Sequence, residues 1–551
     1  MKHSLLIYLA LHFAAFVFAQ TDFSLKENFE KHIEILAHDS LQGRNTGTIG
    51  EEKARKYIIE QYKEIGLRPM GQYPEYLQPF EFTFKKIYRG ENSLKLNNTN
   101  LLLTKEFYPV NASGNGKSEG ELIYVRYGIE ADDLGYSDYS QLKDIKKRIF
   151  VMETGIPDNN PHSRFANYIS LHEKIKTAAE MGAAGVIFIN SFDTAEIPAE
   201  DLDSKMSPNK IPAVFLKNTD SSVVNKFKKA RIAVSLEPEK RTGHNVIGFI
   251  DNHKTSTVVL GAHYDHLGFG DHGSLYRGAP AIHNGADDNA SGVAMILELA
   301  RYLKTLDLNS NVMILAFSGE ELGLYGSNFF VKTDLLKTLD IKYMINLDMV
   351  GRLDTSDILI VNGTGTSKEW EEIFDKVDKI GLELKTSESG VGPSDHTSFY
   401  LQDIPVLHFF TGTHEDYHKP SDDPEKINYQ GMESIFSLIS NIVIAADSFP
   451  TMTFQKTKDQ DNANAPKFTV TLGVIPDYLF NGSGMRIDGV TEDRPAAKAG
   501  LKKGDIVVRL GDIQILDMMT YMKALSSFRK GDKTTVTVKR GEEELSFPLQ
   551  F

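Results

Sequence analysis

From about Gly243 onward, short apolar runs alternate with amphipathic stretches at a spacing that fits one architecture: an α/β sheet of mostly parallel strands with helices on both faces. The runs Thr257 to Gly261, Asn311 to Phe317, Tyr343 to Leu347, Ile358 to Val361 and Pro405 to Phe409 read as strands. Between them, Ser291 to Leu306 carries Val293, Ile296, Leu297, Ala300 and Leu303 on one helical stripe. His263, Glu320, Glu321 and Asp348 follow directly on the carboxyl ends of their strands, the edge at which open α/β sheets bind ligands.

That placement gives meaning to five donor side chains: His263 in GAHYDH, Asp288 in NGADDNASG, Glu321 in SGEELG, Asp348 in INLDMVG and His418 in DYHKPSD. Two imidazoles and three carboxylates satisfy a pair of divalent cations if one carboxylate bridges. Asp265 can hold the far nitrogen of His263 and so fix its tautomer. Asp288 precedes a helix, where free amides stabilise an anion. Glu320 and Glu321 leave the strand end in different directions, so one can ligate while the other acts as general base on the attacking water. Asp348 interrupts an apolar segment, a costly position for a charge that is neither paired nor coordinated.

Each motif alone has a plainer reading: a polar turn for HYDH, a helix cap for ADDNASG, an ordinary polar residue for each histidine. Their order and shared sheet edge favour metal-assisted hydrolysis. His266, His272, His283, His396, His408 and His414 stay outside the ligand set. GKSEG at Gly116 to Gly120 matches GxSxG, but ELIYV follows where a nucleophile elbow needs a helix. Ser394, Asp395 and His396 are consecutive and cannot converge as a triad, so pocket shaping is their expected role.

With 551 residues the chain needs two to four domains. Its net charge of −14, without a basic stripe, argues against nucleic acid. Cysteine is absent, which excludes disulfides, thiol nucleophiles and Cys zinc sites. Lys2, the apolar run Leu5 to Phe18 and Ala19 read as a signal peptide over 1–19, and no later apolar stretch is long enough to span a bilayer. An exported protein, periplasmic or secreted, follows. Between Gln20 and Lys86 a helix over Glu51 to Ile65 precedes a strand that alternates Phe80, Phe82 and Phe84. Residues 105–240 carry short strands and the helix Ser170 to Met181, a texture suggesting a smaller inserted domain. A polar linker over 451–467 separates a last unit of short strands.

Together HxD, the Asp three residues before Ser-Gly, Glu-Glu, NxD and Tyr-His make the chain resemble the cocatalytic dizinc aminopeptidases, whose zinc exopeptidase fold is shared with glutamate carboxypeptidase. The resemblance implies two Zn²⁺ per chain, other divalent ions being acceptable, with Asp288 bridging. His263 and Asp348 would complete one site, Glu321 and His418 the other. Asp265 would support His263, Glu320 would be the base, and Tyr417 would stabilise the oxyanion. It also implies a cis peptide after Asp288. Residues 105–240 resemble a protease-associated domain inserted between the peptidase segments 20–104 and 241–450. Residues 468–551, with LGVIPDY and AAKAGLKKGDIVVRLGD, resemble a PDZ domain. Leu472, Gly473, Val474 and Ile475 would form its carboxylate-binding loop, open to a peptide or protein C-terminus. Peptides are the expected substrates. No Arg lies between Arg352 and Arg486 to grip a substrate carboxylate, which favours an aminopeptidase over a carboxypeptidase or dipeptidase, unless Arg277 or an arginine of the insert reaches in. A glutaminyl-cyclase-like acyltransferase and a non-catalytic receptor-like protein remain as alternatives on the same fold; the full ligand set argues against both.

Overall fold

The computed structural model describes residues 24–551 apart from 158–163, 166–167, 192–196, 199, 201, 203–207, 271, 277, 458–469, 477–479, 481, 491–493, 517, 526–527, 529–531 and 542. The expected signal peptide, Arg277 and the linker from 458 onward lie outside the described residues.

The largest sheet runs in the order Arg68–Pro69, Leu236–Ile250, Asn311–Phe317, Ser256–His263, Asp340–Leu347, Val406–Phe410, Ile358–Asn362, Glu383–Ser387, with Leu77–Tyr88 paired along Leu236–Ile250. Ser256–His263 lies parallel to both Asn311–Phe317 and Asp340–Leu347, and the last of these lies parallel to Val406–Phe410. Leu236–Ile250 and Ile358–Asn362 instead meet the central group antiparallel. The sheet is therefore mixed, parallel where it carries the donor residues and reversed at its flanks.

Sequence explains the centre well. Every residue of Asn311–Phe317 is buried, as an apolar run covered on both faces requires. The helix Gly292–Leu303 buries Val293, Ile296, Leu297 and Ala300 together with Met295 and Leu299, so it is enclosed nearly all round. The helix Ile49–Ile65 starts at Thr48, whose side chain accepts from the Glu51 amide, and stops at Gly66 in the left-handed conformation.

A second sheet takes the order Thr99–Asn100, Ser93–Leu96, Lys229–Val234, Gly116–Tyr124, Ile149–Glu153, Gly185–Ile189, Ala213–Leu216, Phe107–Pro109. Ser118 sits inside Gly116–Tyr124, which disposes of GKSEG as a nucleophile elbow. A third sheet joins Val474–Pro476, Met485–Val490, Ile506–Leu510, Lys533–Arg540 and Glu543–Gln550 around a core of its own. Among the described residues no helix is long and apolar enough to cross a membrane.

The helix Leu171–Glu180 against the second sheet holds a buried cation. Lys174 donates to the carbonyls of Glu153 at 3.0 Å, Thr154 at 3.1 Å and Gly155 at 2.5 Å. Burial pushes it down to about 7, against the charges of Asp138 and Glu153. Between that value and the unfolded value near 10.4 the unfolded chain binds more protons, so this side chain adds stability as pH rises, by at most about 1.4 kcal/mol per pH unit. Lys174→Met removes this titration. Urea midpoints at pH 7 and pH 9 are expected to shift in favour of the wild type at the higher pH; an unchanged difference contradicts the assignment.

Candidate active site

Three parallel strand ends deliver the chemistry to one place. Ser256–His263 ends in His263, Asn311–Phe317 runs on to Glu320 and Glu321, and Asp340–Leu347 runs on to Asp348. Asp288 enters from the irregular turn ahead of Gly292–Leu303, with its peptide bond to Asn289 in the cis form that the resemblance implies.

The five expected donors converge. His263 Nε2 lies 3.3 Å from Asp288 Oδ1 and 3.3 Å from Asp348 Oδ1. His418 Nε2 lies 3.3 Å from Asp288 Oδ2 and 3.3 Å from Glu321 Oε2. One carboxylate therefore faces both clusters, one oxygen to each. Two donor triads have metal-ligand spacing: His263, Asp288 and Asp348, and His266, Asp288 and Glu321, each with its atoms within 4.8 Å of one another.

His266 is the unexpected member. Its Nδ1 is 2.7 Å from Glu321 Oε1 and 3.9 Å from Asp288 Oδ2, and its ring centroid is 6.0 Å from that of His418. The signal available in the sequence was its place in HYDH, three residues beyond His263 on the same strand exit.

Asp265 supports His263 in a different manner from that expected. The nearest group to His263 Nδ1 is the main-chain carbonyl of Asp265 at 3.1 Å, while the carboxylate stands at 3.7 Å. That carboxylate instead accepts from the Thr46 hydroxyl at 2.9 Å and the Glu320 amide at 3.2 Å, tying the Glu320 backbone to the imidazole strand. Tyr417 stacks on His418 with centroids 3.8 Å apart. Burial, then the charges of Asp288 and Glu321, raises the Tyr417 phenol, so it stays a donor at neutral pH.

Charge in the cluster is lopsided. Burial would lower His418, but Glu321 and Asp288 override it and lift the imidazole to about 11. His263 is likewise raised against its burial by Asp348 and Glu320. Burial would raise Glu321, yet His418 and His266 hold it down at about 2. Glu320 goes the other way: burial and the negative charges of Asp348, Glu321 and Asp395 outweigh His263 and raise it. Protons and divalent cations compete for the same imidazole lone pairs, so a pocket that pulls protons this strongly fits cations of higher charge.

Behind the ligands, Asp422 Oδ2 accepts from the amides of Asp287 and Asp288, both at 3.0 Å, and fixes the turn that presents Asp288. Asp287 Oδ1 accepts from the Gly351 amide at 2.7 Å and its Oδ2 lies 3.2 Å from His414 Nε2. His396 stacks on His408 at 4.4 Å, and Asn346 bonds Ser394 at 2.8 Å. Ser394 and His396 thus belong to one buried polar cluster with Asn346 and His408 rather than to a triad. His283 bonds Ser274 at 2.7 Å, and His272 packs edge-on against Phe84.

In the third sheet, Leu472 is buried and accepts from the Ala496 amide at 2.8 Å. Gly473 has φ 71°, and a Cβ there would lie 2.1 Å from Arg494 Cβ, so the turn requires glycine. Val474 and Ile475 open the strand that pairs antiparallel with Met485–Val490.

A mixed α/β domain with carboxylate and imidazole clusters meeting at a shared aspartate offers a donor set suited to divalent cations. Residues 245–443 match the profile of Peptidase family M28, residues 118–223 that of a PA domain and residues 452–550 that of a PDZ domain. It is 31% identical over 295 residues to Aminopeptidase YwaD of Bacillus subtilis, covering 50% of this chain and 60% of that protein. It is 28% identical over 267 residues to the Probable leucine aminopeptidase 2 of Arthroderma benhamiae, covering 44% and 49% of the two chains. The chain thus spans about half of the one relative's length and 60% of the other's. The solved zinc aminopeptidase BSAP of Bacillus subtilis aligns over 79% of this chain and 96% of its own, with 24% identity and a TM-score of 0.46.

Proposed function

We propose that the chain is an exported, metal-dependent aminopeptidase that removes N-terminal residues from peptides. The observation that carries this reading is Asp288, whose two carboxylate oxygens each face a different imidazole–carboxylate cluster. His263 and Asp348 would hold one Zn²⁺, and Glu321 with His418 or His266 the other. Bound divalent cations supply Lewis acidity and a nucleophile at neutral pH.

The protein's own groups do the rest. Glu320, whose affinity for a proton is raised, takes a proton from the attacking water and delivers it to the departing amine. The Tyr417 hydroxyl donates to the oxyanion as it forms. Asp265 keeps His263 and the Glu320 backbone in fixed relation.

The end of the peptide that is cut follows from the cations near the site. Arg352 is engaged by Asp416 at 3.2 Å and sits 4.0 Å from Asp422, so it is not offered to a substrate carboxylate. The acidic cluster suits a free α-amine instead. The aminopeptidase names of the relatives support the same choice. The PDZ domain would hold a peptide C-terminus at the Leu472 to Ile475 loop.

Aminoacyl anilides test the reading. Turnover is expected with a free amino group, lost with chelator, restored by zinc and absent after N-acetylation. Chelator-insensitive turnover, or release of C-terminal residues from N-blocked peptides, contradicts it.

A further inference from the structure

One buried residue ties the segment that carries His263 and His266 to the turn that carries Asp288 while offering no ligand atom of its own. Arg44 is 1% exposed, and its hydrogen bonds run to main-chain carbonyls drawn from three separate parts of the chain. Its Nε donates to Tyr264 at 2.8 Å. Its Nη1 donates to Leu36 at 2.5 Å and to Asn284 at 2.6 Å, and its Nη2 to Gly285 at 2.9 Å. Tyr264 lies between His263 and Asp265 and two residues before His266; Asn284 and Gly285 lead into Asp287 and Asp288. One planar guanidinium thus joins the segment that carries His263 and His266 to the turn that carries the shared carboxylate.

The backbone around it is committed to this contact. Gln42, Gly43 and Arg44 are consecutive left-handed residues with φ 51°, 66° and 49°, an unfavourable run that needs surrounding contacts to hold it. A Cβ at Gly43 would lie 2.5 Å from the Gly268 carbonyl and 2.6 Å from that of His283. Gly43 O accepts from Gly268 N at 3.0 Å, so the segment docks directly on the chain that follows His266. Two residues on, Thr46 reaches the Asp265 carboxylate. Burial lowers Arg44 to about 10, opposed by the charges of Asp288, Asp422, Asp265 and Glu321, so it is cationic at neutral pH.

We propose that Arg44 is a positioning residue for the metal centre, holding the His263 to His266 loop at ligating distance from Asp288 by bridging their carbonyls. The proposal rests on the metal-binding reading above. Geometry and charge make opposite predictions here. A buried guanidinium repels an incoming cation, so if charge alone mattered, its removal would tighten metal binding. If the bridge matters, its removal weakens binding, and lysine, which keeps the charge but lacks the fork, does not restore it.

Zinc affinity of the full-length apoprotein, measured by competition with a chromophoric chelator, separates these. Arg44→Lys and Arg44→Met are both expected to weaken zinc binding by about 10- to 100-fold, the range for groups that orient ligands. Arg44→Ala is expected to recover part of the lost affinity when guanidinium ion is added at concentrations that leave the wild type unchanged. Circular dichroism of the zinc-free variants confirms a native fold, and the lysine variant retains a buried cation if the smaller ones unfold. Wild-type affinity in folded Arg44→Lys, or tighter binding in Arg44→Met, overturns the proposal. A wild-type chain that binds no zinc at all removes the metal-centre reading instead.

Discussion

Glu320→Gln is expected to lower kcat by about 10²- to 10⁴-fold while leaving the bound zinc content at the wild-type level. Glutamine preserves the side-chain volume and removes the only function claimed for this carboxylate, the transfer of a proton. Its neighbour Glu321 faces His266 and His418, whereas Glu320 is raised by burial and by surrounding negative charge and is not among the atoms of either donor triad. Metal analysis of the purified variant beside its turnover number checks the claim. Activity near wild type removes Glu320 from the base role; loss of zinc along with activity moves it into the ligand set.

Asp288→Asn is expected to act on both clusters at once, weakening zinc binding by more than about 100-fold and abolishing turnover. The scale follows from ligand-orienting partners alone costing 10- to 100-fold. The substitution keeps the shape but removes the charge and replaces one oxygen by a donor amide. That amide would point at His263 or at His418, according to which oxygen it replaces. The main-chain bonds from Asp287 and Asp288 to Asp422 do not depend on the altered atoms, so the fold should survive. Equilibrium dialysis against zinc, with thermal melting as the control for folding, reads the outcome. Retention of full metal content rules out a shared carboxylate.

Among the donors legible in the sequence, Glu321 and Asp348 stand where apolar pattern and charge conflict. Asp348 in YMINLDMVG and the paired acids after NVMILAFSG stand just beyond apolar strands, half-buried positions where a charge needs a partner or a cation. The residues without a sequence signal work through distant partners. Arg44 lies 220 residues from Tyr264, and Asp422 acts on amides 134 and 135 residues away, separations over which a single sequence carries no pattern. His266 is one of several histidines in its stretch, and choosing between it and His418 needs the direction in which the strand exit turns. Leu236–Ile250 was hidden for another reason. Its first half, LEPEKR, is polar and pairs with the half-buried end of Leu77–Tyr88, so it offers no apolar run, while its second half enters the main sheet. The reversed flanks of the sheet follow from such strands, which reach their places without a crossover helix.

Anomalous diffraction at the zinc edge from crystals of the metal-loaded protein tests the central claim most directly. Two peaks are predicted, one beside His263 and Asp348 and one beside Glu321 with His418 or His266, with the Asp288 carboxylate between them. A single peak, or none within coordinating reach of Asp288, contradicts it.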